Sequence, residues 1–292
     1  MLDGNDQAEG LRKMLSASRV RTIAVFGARA GCGATTIAVN LGAALAAAGR
    51  SVLLVDEHFG PGNACGLLGV STRLDLRHAL SGDSLFAGVV HGRPSGLMLL
   101  PAASGARALG RMSPVARELA VAELRISDSW CDIVLVDALA PAAGRRAMFG
   151  AVTQEVLIVL EANPVSITQA YATMKRLRRE HGIDHFRAVI SRGADAAAAD
   201  RAAANLTQAA RGFLDATVEY AAAIPQDAAF AAAASRGAPL VEIDQTSPAS
   251  RALRALARDV LSWPARRGAA GPAHLFQRFT QTGAPRRAAA GG

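Results

Sequence analysis

The stretch "FGARAGCGATT", residues 26–36, decides the fold. It follows the apolar run Thr22–Phe26 and leads into the alanine-rich run Thr35–Ala48, so it reads as strand, glycine-rich turn and helix. Such a loop bends its backbone around an anion and presents N–H groups to it from the start of a helix. Gly31, Gly33, Thr35 and Thr36 suit that use. A phosphate-binding loop also carries a lysine for the β- and γ-phosphates and a hydroxyl for the magnesium ion. Thr35 supplies the hydroxyl. Ala34 stands where the lysine is expected, and Ala28 where a leading glycine is expected.

Outward from this loop, short apolar runs alternate with helix-like segments. Ser51–Val55, Leu97–Leu100, Ile133–Val136, Val156–Leu160 and Phe186–Ile190 are non-alternating and rich in branched residues. Strands of that type are buried on both faces, which predicts an α/β fold: a mostly parallel twisted sheet with helices on both sides. The last helix is expected over Ser247–Leu261, because Ser-Pro at 247–248 suits a cap followed by proline at the first helical position, and Pro264 stops it. Three parts follow: residues 1–18, a main domain over 19–263, and a basic tail over 264–292 rich in Ala, Gly, Pro and Arg, expected to be disordered.

Composition narrows the setting. The formal charge is +8, carried almost wholly by arginine, since Lys13 and Lys175 are the only lysines. Such a charge points to an anionic partner, a nucleic acid, membrane surface or acidic protein, but the arginines are scattered rather than gathered in one block, which favours compositional bias; DNA is not the expected partner. Three cysteines without close pairing point to a reducing cytoplasm. The first twenty residues carry no apolar core of a secretory signal.

Two strands end in carboxylates. Val52–Asp56 and Ile133–Asp137 place Asp56 and Asp137 at the carboxyl ends of strands, where parallel sheets bind ligands. With Thr35 they form the expected magnesium group, the metal bridging to phosphate oxygens.

On these residues the chain resembles the MinD/ParA group of deviant P-loop ATPases. The group's K-G-G-x-G-K-T-T loop corresponds to Arg29-Ala30-Gly31-Cys32-Gly33-Ala34-Thr35-Thr36, and its D-x-D-x-G-x-x-N element to Asp56-Glu57-His58-Phe59-Gly60-Pro61-Gly62-Asn63. "EANPVSITQAYATMKRL" (161–177), "IPQD" (224–227) and "SPASRALRALA" (247–257) are similar to the FlhG/FleN branch, which regulates flagellar number and placement. The resemblance implies ATP or ADP with magnesium as cofactor. It places Gly31, Cys32, Gly33, Ala34, Thr35, Thr36, Ser191 and Pro225 around the nucleotide. It also implies dimerisation, and a cytoplasmic location that extends to the inner membrane surface or the cell pole.

Residues 6–12, "DQAEGLR", match an element of the same branch that docks on the signal-recognition-type GTPase FlhF and stimulates it. The resemblance assigns this role to Asp6, Gln7, Ala8, Leu11 and Arg12. Asp6 and Glu9 have capping-box spacing, and Ala8, Leu11 and Leu15 share one helical face. A flagellar transcription activator and a basal-body component are further partners in this reading.

Departures from the pattern fall on the chemistry. Ala34 removes the loop lysine, and Arg29 replaces the lysine that reaches across the ATP-bound dimer. His58 replaces the carboxylate that positions the attacking water. Pro141 stands where a glycine N–H meets the γ-phosphate, and Ser191 where an asparagine reads adenine. Hydrolysis is therefore expected to be lost, the alternatives being an ATP-cycling enzyme with an altered site or a ParA-like binder of DNA without sequence preference. His58 has no second histidine or cysteine at ligand spacing nearby. In the tail, "AHLFQRF" (273–279) puts Leu275, Phe276 and Phe279 on one helical face, and weak contact with an anionic membrane is expected there.

Overall fold

The computed structural model describes residues 20–60, 62–125, 131–140, 149–193, 195–264, 275 and 277. Residues 1–18, Pro141, Phe276 and Phe279 lie outside them. Among the described residues eight strands form: β1 (Arg21–Gly27), β2 (Val52–Asp56), β3 (His91–Gly92), β4 (Leu97–Pro101), β5 (Ile133–Ala138), β6 (Glu155–Glu161), β7 (His185–Gly193) and β8 (Thr217–Pro225). They form one sheet in the order β3-β4-β2-β5-β1-β6-β7-β8. Every pairing is parallel except β3 with β4.

One face carries α1 (Ala34–Ala47), α2 (Ala64–Leu67), α9 (Ala229–Ser235), α10 (Leu240–Ile243) and α11 (Pro248–Ser262). The other carries α3 (Leu76–Leu80), α4 (Phe86–Val89), α5 (Gly105–Arg111), α7 (Pro164–His181), α8 (Ala196–Leu214) and the 3₁₀ turn Phe149–Val152, with α6 (Pro114–Arg125) following α5 in the chain. Two apolar clusters result, one on each side of the sheet. Phe26, Phe149 and Phe186 are fully buried, each stabilising the fold by about 1.5–3 kcal/mol through lost contact with water.

Local chemistry sets the helix ends. The Ser247 hydroxyl accepts the Ser250 N–H, and Pro248 begins α11. Asn163 caps α7 in the same way ahead of Pro164, and Gly182 closes it at φ 72°.

At the amino end of the sheet, Arg21 donates from Nη2 to the Trp263 carbonyl at 2.8 Å and from Nη1 to the Val260 carbonyl. Arg187, almost wholly buried, pairs with Glu155 and lies 2.9 Å from Glu219. Its guanidinium sits 3.9 Å from the centre of the Trp263 ring, a cation–π contact. His185 meets the other oxygen of Glu219 at 2.9 Å.

Leu275 is 1% exposed and belongs to the apolar cluster that contains Val20 and Phe26. The expectation that its side chain faces a membrane is corrected: in this conformation it is part of the core, since a side chain that apolar gains more by joining a neighbouring core than by staying in water.

Candidate functional site

The loop after β1 sits at the carboxyl end of the central strand, between β5 and β6. Gly31 and Gly33 take φ 78° and 92°, the left-handed region that favours glycine. Gly33 is the N-cap of α1 and no side chain caps that helix, so its first-turn N–H groups face the mouth of the loop. Ala28 N–H donates to the Val159 carbonyl at 2.8 Å, and the Cys32 thiol lies buried 3.4 Å from the same oxygen.

Gly27 allows the loop to fold back so tightly. A Cβ there would stand 2.9 Å from Cys32 Sγ and 3.2 Å from Ala34 Cβ. Gly27→Val is therefore expected to lower the unfolding free energy by about 1–3 kcal/mol. Urea denaturation checks this; a midpoint unchanged from the wild type would show that the loop has room.

A cavity of about 410 Å³ opens beside the loop, lined by Cys32, Gly33, Thr36, Ser191, Pro225 and Phe230 among others. The structure thus brings five of the residues expected around a nucleotide to one wall. Ser191 differs from its expected role. Its hydroxyl donates to the Cys32 carbonyl at 2.6 Å and lies 3.3 Å from the Leu160 carbonyl, so it braces the loop rather than facing a base. Asp227 shapes the rim: it accepts the Ala229 N–H at 2.9 Å and lies 3.4 Å from the Ala249 nitrogen.

On the other side of the loop, Asp56 and Asp137 are opposite one another in the β2–β5 register. Asp56 accepts the His58 N–H at 3.0 Å and the Cys65 N–H at 3.3 Å, which ties the chain after β2 to the strand end. Burial raises the Asp56 carboxyl above its ordinary value despite these two donors. Burial also lifts Asp137 well above the usual carboxylate range, and the charges of Asp56 and Glu57 add to it. The Thr35 side chain opposes that rise, yet short of a full hydrogen bond, so both Asp137 oxygens remain buried and unsatisfied. A divalent cation would fit this deficit, because a positive charge favours the ionised carboxylate. The Cys65 thiol, pushed up to about 12 by burial and then by Asp56, stays protonated.

Three acidic residues outside the expected set do structural work. Glu57 accepts the N–H groups of Leu139, at 3.1 Å, and Phe149, tying the segment after β5 to the strand end of β2. Glu161, at the end of β6, holds Arg29 through Nε at 3.2 Å and through Nη2, and Arg192 at 3.2 Å. The Arg29 hydrogen bonds keep the Glu161 carboxyl below its ordinary value. Asp227 is the third, at the rim of the cavity. Arg29 is therefore engaged within its own chain.

The loop after α2 is linked to the loop after α9 by backbone contact. Gly69 and Gly237 both have positive φ, and a Cβ on Gly237 would lie 2.9 Å from the Gly69 Cα. Arg93 spans the contact, reaching the Leu68 carbonyl at 3.2 Å, the Gly237 carbonyl at 3.4 Å and Glu242 at 3.3 Å.

Comparisons agree with this geometry. Residues 23–240 match the model of the CobQ/CobB/MinD/ParA nucleotide binding domain. The antiactivator FleN of Pseudomonas aeruginosa is 35% identical over 255 residues, 87% of this chain and 91% of the relative. The flagellum site-determining protein YlxH of Helicobacter pylori is 30% identical over 154 residues, 52% of each chain. The septum site-determining protein MinD of Pyrococcus horikoshii, solved with Mg-ADP, shares the fold at a TM-score of 0.61 and 21% identity, covering 83% of this chain and 96% of that one. With the phosphate-loop geometry at the carboxyl end of the same sheet, these matches show that the chain belongs to the MinD/ParA nucleotide-binding family and, within it, to the FlhG/FleN group.

Proposed function

We propose that this chain is a MinD-type regulator of flagellar number and placement that hydrolyses ATP very slowly and acts through residues 6–12 on a signal-recognition-type GTPase. One observation carries the reading: the loop and cavity that would take a nucleotide have no lysine at position 34 and no carboxylate at position 58. Ala34 offers a methyl group at the first position of α1, and the Arg29 guanidinium is held by Glu161. The name of the Helicobacter pylori relative, a flagellum site-determining protein, supports the cellular role.

In this reading the first-turn N–H groups of α1 and the backbone of Gly31 and Gly33 hold the phosphates. The base would lie in the cavity that Ser191, Pro225 and Phe230 line. Thr35, Asp56 and Asp137 would hold a magnesium ion, and Asp56 also keeps the adjoining loop in place through the His58 and Cys65 N–H groups. Bound magnesium would neutralise phosphate charge. The protein's own groups bind and orient, and no described carboxylate stands at position 58 to take a proton from water. Among the described residues, no helix is long and apolar enough to cross a membrane. The word antiactivator in the relative's name supports a flagellar transcription activator as a further partner.

The test is on residues 6–12. A peptide of roughly the first twenty residues should raise the partner GTPase's turnover without the main domain. Gln7→Ala should remove about 10²-fold or more of that stimulation while weakening binding far less, because its proposed role is to orient water in the transition state. Equal stimulation by the Gln7→Ala peptide would take Gln7 out of the mechanism.

A further inference from the structure

α8 packs on β7, on β8 and, along one flank, on α7. Its other flank stands at the end of the sheet, over the edge strand β8. There an open groove of about 860 Å³ runs between the helix and Tyr220 of β8. α8 lines it with Asp200, Ala203, Ala204, Thr207, Gln208 and Arg211, and with Gly212 beyond them.

Those six positions recur at steps of three and four residues, so they form one stripe along the helix. The stripe is complementary to its own reverse. About the level of the Asn205–Leu206 peptide bond, Asp200 mirrors Arg211, Ala203 mirrors Gln208 and Ala204 mirrors Thr207. A two-fold axis at that level lays a second α8 antiparallel on the first, and every contact is then made twice. Asp200 meets Arg211 of the second copy at both ends. The small side chains of Ala204 and Thr207 at the middle let the helix axes approach to about 8–10 Å. A parallel pairing would set Asp200 against Asp200, so charge selects the antiparallel sense. Among the described residues neither Asp200 nor Arg211 is in an ion pair, although Arg201 beside them pairs with Asp195.

The backbone edge of β8 is a poor docking element by comparison. Ala188 lies opposite Tyr220 and Val189 opposite Ala222, so Ala221 is an extra residue and the strand bulges at its middle. A bulge takes an edge out of register for the addition of another strand. Tyr220 stays 45% exposed beside the helical stripe, an aromatic side chain whose ring gains by being covered while its hydroxyl stays wet.

We propose that the α8 stripe and Tyr220 form a self-complementary surface on which a second copy of this chain docks, α8 antiparallel to α8. The surface lies three strands away from β1 and its loop, so docking needs no nucleotide. It stands or falls separately from the flagellar reading.

The experiment is sedimentation equilibrium of the full chain without nucleotide, over micromolar to submillimolar concentrations. The chain should pass reversibly from monomer to dimer, and added salt should weaken the association. Asp200→Arg should raise the dissociation constant at least about tenfold, because it sets arginine against Arg211 at both ends, and Arg211→Asp should do the same with carboxylates. The double reversal, Asp200→Arg with Arg211→Asp, should restore association to the wild-type level, which a general effect on folding would not do. Ala204→Glu, at an exposed position, should abolish the dimer at an unchanged melting temperature. A monomer at every concentration, a dimer indifferent to either single reversal, or a double reversal as weak as the single ones would each overturn the proposal.

Discussion

The double variant Ala34→Lys, His58→Asp is expected to hydrolyse ATP at least about 10²-fold faster than the wild-type chain, read as phosphate release at saturating ATP and magnesium. Each preorganised donor aimed at developing charge typically contributes roughly 10²–10³ in rate. The wild-type crevice lacks one at position 34 and has an imidazole beside Asp137 at position 58. Thr35, Asp56 and the loop glycines remain in place, so the two substitutions restore charges to a standing frame. Ala34→Lys alone should raise turnover less, because only the second substitution, His58→Asp, supplies the carboxylate that positions water. A double variant no faster than the wild type would show that the defect lies elsewhere, with Pro141 the first residue to change.

Arg187→Met should destabilise the protein by about 3–5 kcal/mol, since removing one partner of a buried ion pair leaves the other charge in the interior. Arg187 and Glu155 are both nearly inaccessible, and Arg187 also supports Glu219 and the Trp263 ring. For a chain of this size the melting temperature should fall by about 6–20 °C. Glu155→Leu combined with Arg187→Met should recover most of the loss, because a well-packed apolar pair often replaces a buried ion pair without penalty. Calorimetric melting of the wild type and both variants checks this. A single variant that melts like the wild type would mean that water reaches Glu155 freely.

The parallel core was legible because its strands are buried on both faces and therefore read as unbroken apolar runs. Thr22–Phe26 lies within Arg21–Gly27, and Ile133–Val136 within Ile133–Ala138. β8 was not legible. Its sequence TVEYAAAIP carries three alanines and leaves several side chains exposed, so its extended form comes from pairing with β7 rather than from its own pattern. β3 has two residues, too few for any period to show.

The site divides in the same way. Asp56 and Asp137 could be found because each ends an apolar run, and Glu161 ends another, so the same signal would have found it. Glu57 could not, since its partners are backbone N–H groups 82 and 92 residues away. Ser191 shows the opposite case: alignment with an adenine reader gave its location on the cavity wall, whereas its bond to Cys32 depends on how the loop folds across 159 residues. The contact between His58 and Asp137 joins two separate strand ends, which spacing along the chain does not register.

The contact between Gly69 and Gly237 has a mechanical consequence. Side chains at an interface can change rotamer and absorb a small displacement, but here backbone rests on backbone at 2.9 Å for a Cβ that neither residue has. Arg93 grips both carbonyls across the seam. The linkage has no lost motion. A shift of the chain running from Asp56 through α2 to Gly69 would press directly on Gly237, just beyond α9, which carries Phe230 at the wall of the cavity. The strand end at Asp56 and the cavity wall at Phe230 are thereby joined through a backbone contact outside the cavity.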